Sequence, residues 1–192
     1  MRSFLLVLLS SISATVLSAA AIVNIDPVTS QTSSGDTVTL NINGTGLIDL
    51  YSFQFDLQFQ PGVLHANSVT AGSFLSAGGM TLFLPGTMNN TTGSIQSTAG
   101  SLTGSTPGVS GDGTFAAVQF TGIAIGSSPI TLSNVILLNS QLGDIPFSLQ
   151  SGQVQVDGPD TGIPEPATVM TMILGLAWVV YRKFRLQPPN AN

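Results

Sequence analysis

Apolar and polar positions alternate strictly along residues 50–60, with Phe53, Phe55, Leu57 and Phe59 on one side and Ser52, Gln54, Asp56, Gln58 and Gln60 on the other. A period of two held over that length predicts a β-strand with one buried face and one wet face. Pro61-Gly62 ends it as a turn. Upstream, Val38, Leu40 and Ile42 alternate with Thr37, Thr39, Asn41 and Asn43 until Gly44-Thr45-Gly46 intervenes, which predicts a second, separate strand. Shorter strands are predicted at 22–25, 64–70, 81–84, 94–97, 114–121, 130–138, 146–149 and 153–156, punctuated by Gly, Pro, Asn and Ser. The Gly, Ser and Thr-rich residues 98–113 read as one long surface loop. No window between residues 21 and 157 carries an apolar stripe of helical period, and glycine recurs too often for a long helix. The body is therefore expected to be all-β. Many short strands with one apolar face each must cover those faces against another sheet, which favours a two-sheet sandwich. One domain over residues 21–157 is expected, since a chain of about 140 residues can bury a self-sufficient core.

The two ends break this rhythm. Arg2, the apolar run Phe4-Leu5-Leu6-Val7-Leu8-Leu9 and the small residues Ser18-Ala19-Ala20-Ala21 have the order of a secretory signal helix over residues 1–20, cut after Ala20 or Ala21 by signal peptidase. At the other end, a linker over 158–163 leads to Pro164-Glu165-Pro166, an apolar segment at 167–181 and the basic cluster Arg182, Lys183 and Arg185, leaving 186–192 as a cytoplasmic tail. The prolines fix φ and remove backbone donors, so the strip stays extended, and Pro166 suits the first helical position. The apolar segment is expected to be a single transmembrane helix with the basic cluster as its stop. Its length is marginal, because about fifteen residues at ~1.5 Å each reach ~22 Å against a hydrocarbon core of ~30 Å.

This three-part tail, over residues 163–185, resembles the PEP-CTERM sorting signal of Gram-negative bacteria that make extracellular polysaccharide. The resemblance implies a membrane-embedded cysteine protease-transpeptidase, the exosortase, as processing enzyme acting near Pro164, Glu165 and Pro166. The protein would be anchored transiently in the inner membrane and then delivered to the cell surface or extracellular matrix.

Charge sharpens the picture of the body. All four basic residues, Arg2, Arg182, Lys183 and Arg185, lie in the two end segments, while the body carries eight aspartates: Asp26, Asp36, Asp49, Asp56, Asp112, Asp144, Asp157 and Asp160. Salt bridges to Lys or Arg within the body are excluded by inventory, and each carboxylate needs water, an N–H, a hydroxyl or a metal. A surface without basic residues also excludes phosphate-driven nucleic-acid binding and adhesion to anionic lipid. The chain has no cysteine, so no disulfide staples it.

Catalytic chemistry is scarce. His65 is the only histidine, no Gly-x-Ser-x-Gly elbow surrounds a serine, and zinc lacks a ligand set, so the protein is expected not to be an enzyme. Unpaired aspartates beside Asn side chains and loop carbonyls are hard oxygen ligands, which makes a structural calcium at Asp56, Asp112 and Asp144 the one inorganic expectation. Tyr51, Phe74 and Phe83 would suit a sugar-stacking platform if exposed and the core if not.

The body resembles the cohesin family, a jelly-roll sandwich related in fold to certain carbohydrate-binding domains. The residues that carry this are the alternating strand with its Pro-Gly turn and Val63-Leu64, the segments 69–75 and 111–120, Gly126-Ser127-Ser128-Pro129-Ile130-Thr131-Leu132, and the closing Gly152-Gln153-Val154-Gln155-Val156. With the tail, it implies an exported, non-enzymatic surface or matrix protein with a structural or adhesive role linked to exopolysaccharide or biofilm. The alternative is a binding module for polysaccharide or a dockerin-like protein.

Overall fold

The computed structural model describes residues 20–158 and 166–185. The chain forms two units, one ending at Asp157 and one beginning at Gly158. The first is all-β, with strands β1 (Ala21–Asp26), β2 (Thr29–Ser33), β3 (Thr37–Gln58), β4 (Leu64–Ala71), β5 (Thr81–Leu84), β6 (Thr87–Asn89), β7 (Ser94–Leu102), β8 (Val109–Gly122), β9 (Gly126–Asn139), β10 (Phe147–Gln150) and β11 (Gly152–Asp157), plus a short 3-10 turn at Leu75–Gly78. The leader at 1–19 and the residues Pro164 and Glu165 lie outside the described residues.

The two strands expected on either side of Gly44-Thr45-Gly46 are one. The first half of β3 pairs with β1 and β8, and its second half pairs with β7 and β9. Between the halves, Gly46 at φ 67° and Asp49 at φ 59° turn the backbone through left-handed conformations. The strand thus turns a corner and serves both layers of the sandwich without giving up its ladder. One layer reads β10-β1-β3-β8-β4 and the other reads β5-β7-β3-β9, with β6 also on β7. The opening residues of β9 pair with β11, which carries β2 as a parallel neighbour.

The inward residues of the predicted alternation, Phe53, Phe55, Leu57 and Phe59, are all buried. Their partners come from β8 in the facing layer: Phe53 stacks on Phe115 at 5.0 Å, and Phe59 meets Phe120 edge-on at 5.2 Å. Phe74 leans on Phe115 at 6.0 Å, so it belongs to the core, and Phe83 packs against the same core.

The long loop expected at 98–113 is mostly strand, because β7 runs on to Leu102 and β8 starts at Val109. Glycine misled the pattern. Gly100 sits within β7 because a Cβ there would stand 2.6 Å from the Phe53 ring, so the residue marks an aromatic side chain lying on the backbone, not a break.

One margin of the sandwich is finished by a side chain. Ala66 of β4 donates its N–H to Asn90 Oδ1 at 2.7 Å and accepts from Asn90 Nδ2 at 3.0 Å, so the amide occupies the outer edge of β4 as a neighbouring backbone would.

The second unit is a helix, α1 (Pro166–Arg185), opened by Pro166 as expected. The transmembrane expectation for 167–181 is corrected here: no helix among the described residues is long and apolar enough to cross a membrane. The physical reason is the arithmetic of length together with Thr168, Thr171 and Gly175 within the segment and the basic run that ends it. Arg182 closes back over the Trp178 ring at 5.4 Å.

Candidate binding face

The outward side of β5-β7-β3-β9 is fixed by register. Ser52 lies opposite Ser101 on one side and Leu138 on the other, and Gln54 lies opposite Ala99 and Ile136. Leu82 and Leu84 of β5 extend the same two rows beyond Ser101 and Ala99. The rows enclose a shallow depression of about 250 Å³ with a small polar floor and aliphatic walls. Leu82, Leu84 and Ile136 are 56%, 52% and 44% exposed. Most surface apolar residues need no explanation singly, but aliphatic walls facing one another across a polar floor make this face a candidate for docking.

Further along the outward side of β3, Asp56 stands where the pairing with both neighbours slips, between Phe55 and Leu57 on the β7 side and between Gln54 and Asp56 on the β9 side. Ser97 and Asn134, at φ 59° and 49°, supply the two donors for its carboxylate. The Ser97 N–H donates to Oδ1 at 2.7 Å and Asn134 Nδ2 to Oδ2 at 2.7 Å. A carboxylate bonded through both oxygens is held in one orientation and keeps lone pairs for a further donor.

The three carboxylates expected to hold calcium do not come together as one cluster. Among the described residues, no group of three or more His, Cys, Asp or Glu could hold a metal ion. Asp112 Oδ1 instead accepts the Gly46 N–H at 2.7 Å, tying β8 to the corner of β3. Asp144 is exposed beside Asn139 in a different depression.

Asp49 was missed as a site and proves the most heavily bonded carboxylate. It accepts from the Gly108 N–H at 2.7 Å and from the Ser140 hydroxyl and N–H at 2.7 and 3.2 Å, while its own N–H donates to Ser110 Oγ. The Ser140 hydroxyl, with the Gly108 amide second, holds its pKa below the ordinary value of 3.8. The signal was present: an acidic residue between two strand halves, near a Gly-x-Gly, is a corner ligand for N–H groups.

His65 is exposed with Nδ1 at 3.3 Å from Asn67 Oδ1, and no hydrogen bond joins it to a serine or aspartate among the described residues. Tyr51 donates to the Gly104 carbonyl at 2.6 Å, apart from Phe74 and Phe83, so the three aromatics form no platform. Ala20 is exposed ahead of β1, Ala21 is its first residue, and Pro166 opens α1 with the basic cluster at its far end.

Two packed layers with a partly apolar outer face define a β-sandwich module. The Cohesin domain family model matches residues 22–156, and the chain belongs to the cohesin family. Among solved structures, it is similar to a non-cellulosomal cohesin from the hyperthermophilic archaeon Archaeoglobus fulgidus, with 16% identity, TM-score 0.59, and coverage of 75% of this chain and 96% of that one. It is also similar to the sixth cohesin of scaffoldin B from Acetivibrio cellulolyticus, solved in complex with a mutant dockerin, at 19% identity, TM-score 0.58 and coverage of 72% and 100%. A type I cohesin–dockerin complex from Clostridium thermocellum matches at 13% identity, TM-score 0.59 and coverage of 72% and 100%. At these identities the likeness speaks for the fold alone. No curated protein matches the chain.

Proposed function

We propose that the body is a non-enzymatic protein-binding module, exported from the cell, whose partner docks on the outer face of β5-β7-β3-β9. The observation that carries this is the pairing of exposed Leu82, Leu84 and Ile136 with the bulge-held Asp56 on one sheet face. Charge selects the partner's chemistry. The body offers carboxylates and no Lys or Arg, so a second copy brings like charges together, whereas a partner with aliphatic anchors and a basic rim meets its complement. Two of the similar structures are cohesins bound to dockerins, which makes a dockerin-like domain the first partner to try.

The ends support delivery outside the cytoplasm. The leader at 1–20 fits removal by signal peptidase, and Pro164-Glu165-Pro166 with the basic cluster fits recognition by an exosortase-type enzyme. The tail then acts as a recognition element on the way to the surface or matrix of a Gram-negative cell, where the body serves an adhesive role.

Calorimetric titration of the body with purified dockerin modules tests the first part. Saturable binding that falls at least tenfold in a Leu82→Glu, Ile136→Glu double variant is expected; flat curves across the dockerins remove the reading. For the tail, deleting residues 164–166 should leave export intact and leave the tail uncut in mass spectra of the exported product, and unchanged processing counts against a sorting role.

A further inference from the structure

Signal cleavage leaves an α-amino group, and the fold places it. Ala21 is only 3% exposed and opens β1 opposite Phe147 of β10, with its N–H donated to the Pro146 carbonyl at 3.2 Å. Ala20, just before it, is exposed and outside the strand. A cut after Ala21 would strip the first pair from the β1-β10 ladder, whereas a cut after Ala20 leaves the ladder whole. The nitrogen of Ala21 opens on a depression of about 190 Å³ lined by Gly46, Ile48, Asn139, Asp144, Ile145 and Pro146. Asp144 is the only ionisable side chain in that lining, and among the described residues no hydrogen bond is made to its carboxylate. The turn that presents it is stiff, because Asn139 Oδ1 accepts the N–H groups of Gln141 and Gly143 at 2.9 and 2.8 Å.

We propose that signal peptidase cuts between Ala20 and Ala21, and that the α-ammonium group so created seats against the Pro146 carbonyl and the Asp144 carboxylate, latching β1 to the 139–146 turn. The inference rests on the export reading. In the cut, water adds across the peptide bond: its hydroxyl stays on the Ala20 carbonyl carbon and its proton goes to the nitrogen of Ala21. The amine takes a second proton from solvent at neutral pH, since a free α-amino group titrates near ~7.7–8.0. His65 apart, this is the only cationic group between residues 21 and 158. The carboxylates on adjoining segments have the same sign as Asp144: Asp112 on the Gly46 amide and Asp49 on Ser140. Asp26 closes the far end of β1. All of them favour the protonated amine, while burial of Ala21 opposes it, so a raised folded-state pKa depends on the Asp144 seat. The stabilisation is complete below the unfolded value and is lost as pH rises through the folded one.

The protein exported from a Gram-negative host is recovered, its N-terminus read by mass spectrometry, and its α-amino group titrated by NMR in the wild type and in Asp144→Asn. Expected are a terminus at Ala21, titration above ~8.0 in the wild type, and a return to the free range in the variant. Acetylation of the terminus should lower the thermal midpoint in the wild type and leave Asp144→Asn unmoved. A different terminus on an exported product, or the same α-amino titration in both proteins, overturns the inference and leaves export standing. Product held in the cytosol with its leader uncut overturns export and the inference together.

Discussion

Asp49 and Asp56 lie on the same strand and are built by the same means, yet they do different work. Asp49 stands at the corner where β3 changes layer, and its carboxylate is turned inward on three donors, gathering residues 108 and 140 against the bend. Asp56 stands on a flat face, with two donors that orient it and open lone pairs that point outward. In a body with no Lys or Arg, N–H and hydroxyl groups take the place of cations. What separates the two is the number of acceptor sites left over. Of about four on a carboxylate, the corner fills three and the face two.

The comparison can be broken hardest from beneath. Phe115→Ala removes the ring that supports Phe53 and Phe74, and a loss of about 3–5 kcal/mol is expected in urea unfolding, with face and corner failing together. Gly100→Ala forces a methyl toward the Phe53 ring directly under the depression, and about 1–3 kcal/mol is expected on the same measurement. Asp49→Asn should cost less and show a pH signature. The folded-state pKa lies below the unfolded value, so the wild type's advantage is full above the ordinary 3.8 and disappears as pH falls through the lowered value. Thermal melts of the two proteins should therefore converge at acid pH; a constant gap would mean the corner does not depend on the ionised carboxylate. Leu82→Glu with Ile136→Glu sits at the bottom of the stability scale, within about 0.5 kcal/mol, because both side chains already face water. Their effect is expected in partner binding alone. Asp56→Asn should likewise spare the melt and weaken the salt dependence of that binding.

Much of this was legible along the chain and some was not, for identifiable reasons. The alternation at 50–60 gave the buried face of β3 correctly, and the strand at 81–84 falls on the observed bounds. β2 and β6 have no apolar periodicity to betray them, since their residues are mostly exposed and are held by ladders to β11 and β7. Gly44 and Gly100 read as breaks, yet in each case a Phe ring occupies the place of a side chain. The face was hidden because it depends on register. Leu82-Phe83-Leu84 and Ile136-Leu137-Leu138 look like core strands until the pairing turns Phe83 and Leu137 inward and their neighbours out. Three successive apolar residues in a sandwich strand were the available clue, because only one face of such a strand has a core to meet. For Asp56, charge inventory identified a carboxylate in need of partners, and only the bulges on both sides show that amides supply two of them.

The Asn90 amide on the margin of β4 limits how these molecules can meet. An open strand rim invites another polypeptide to zip onto it, and crowded copies would then be prone to stack into fibrils. With the Ala66 hydrogen-bonding positions already taken, that stretch of the rim is closed to such stacking. Replacing Asn90 with alanine would reopen it, so one side chain withdraws part of this rim from acting as glue.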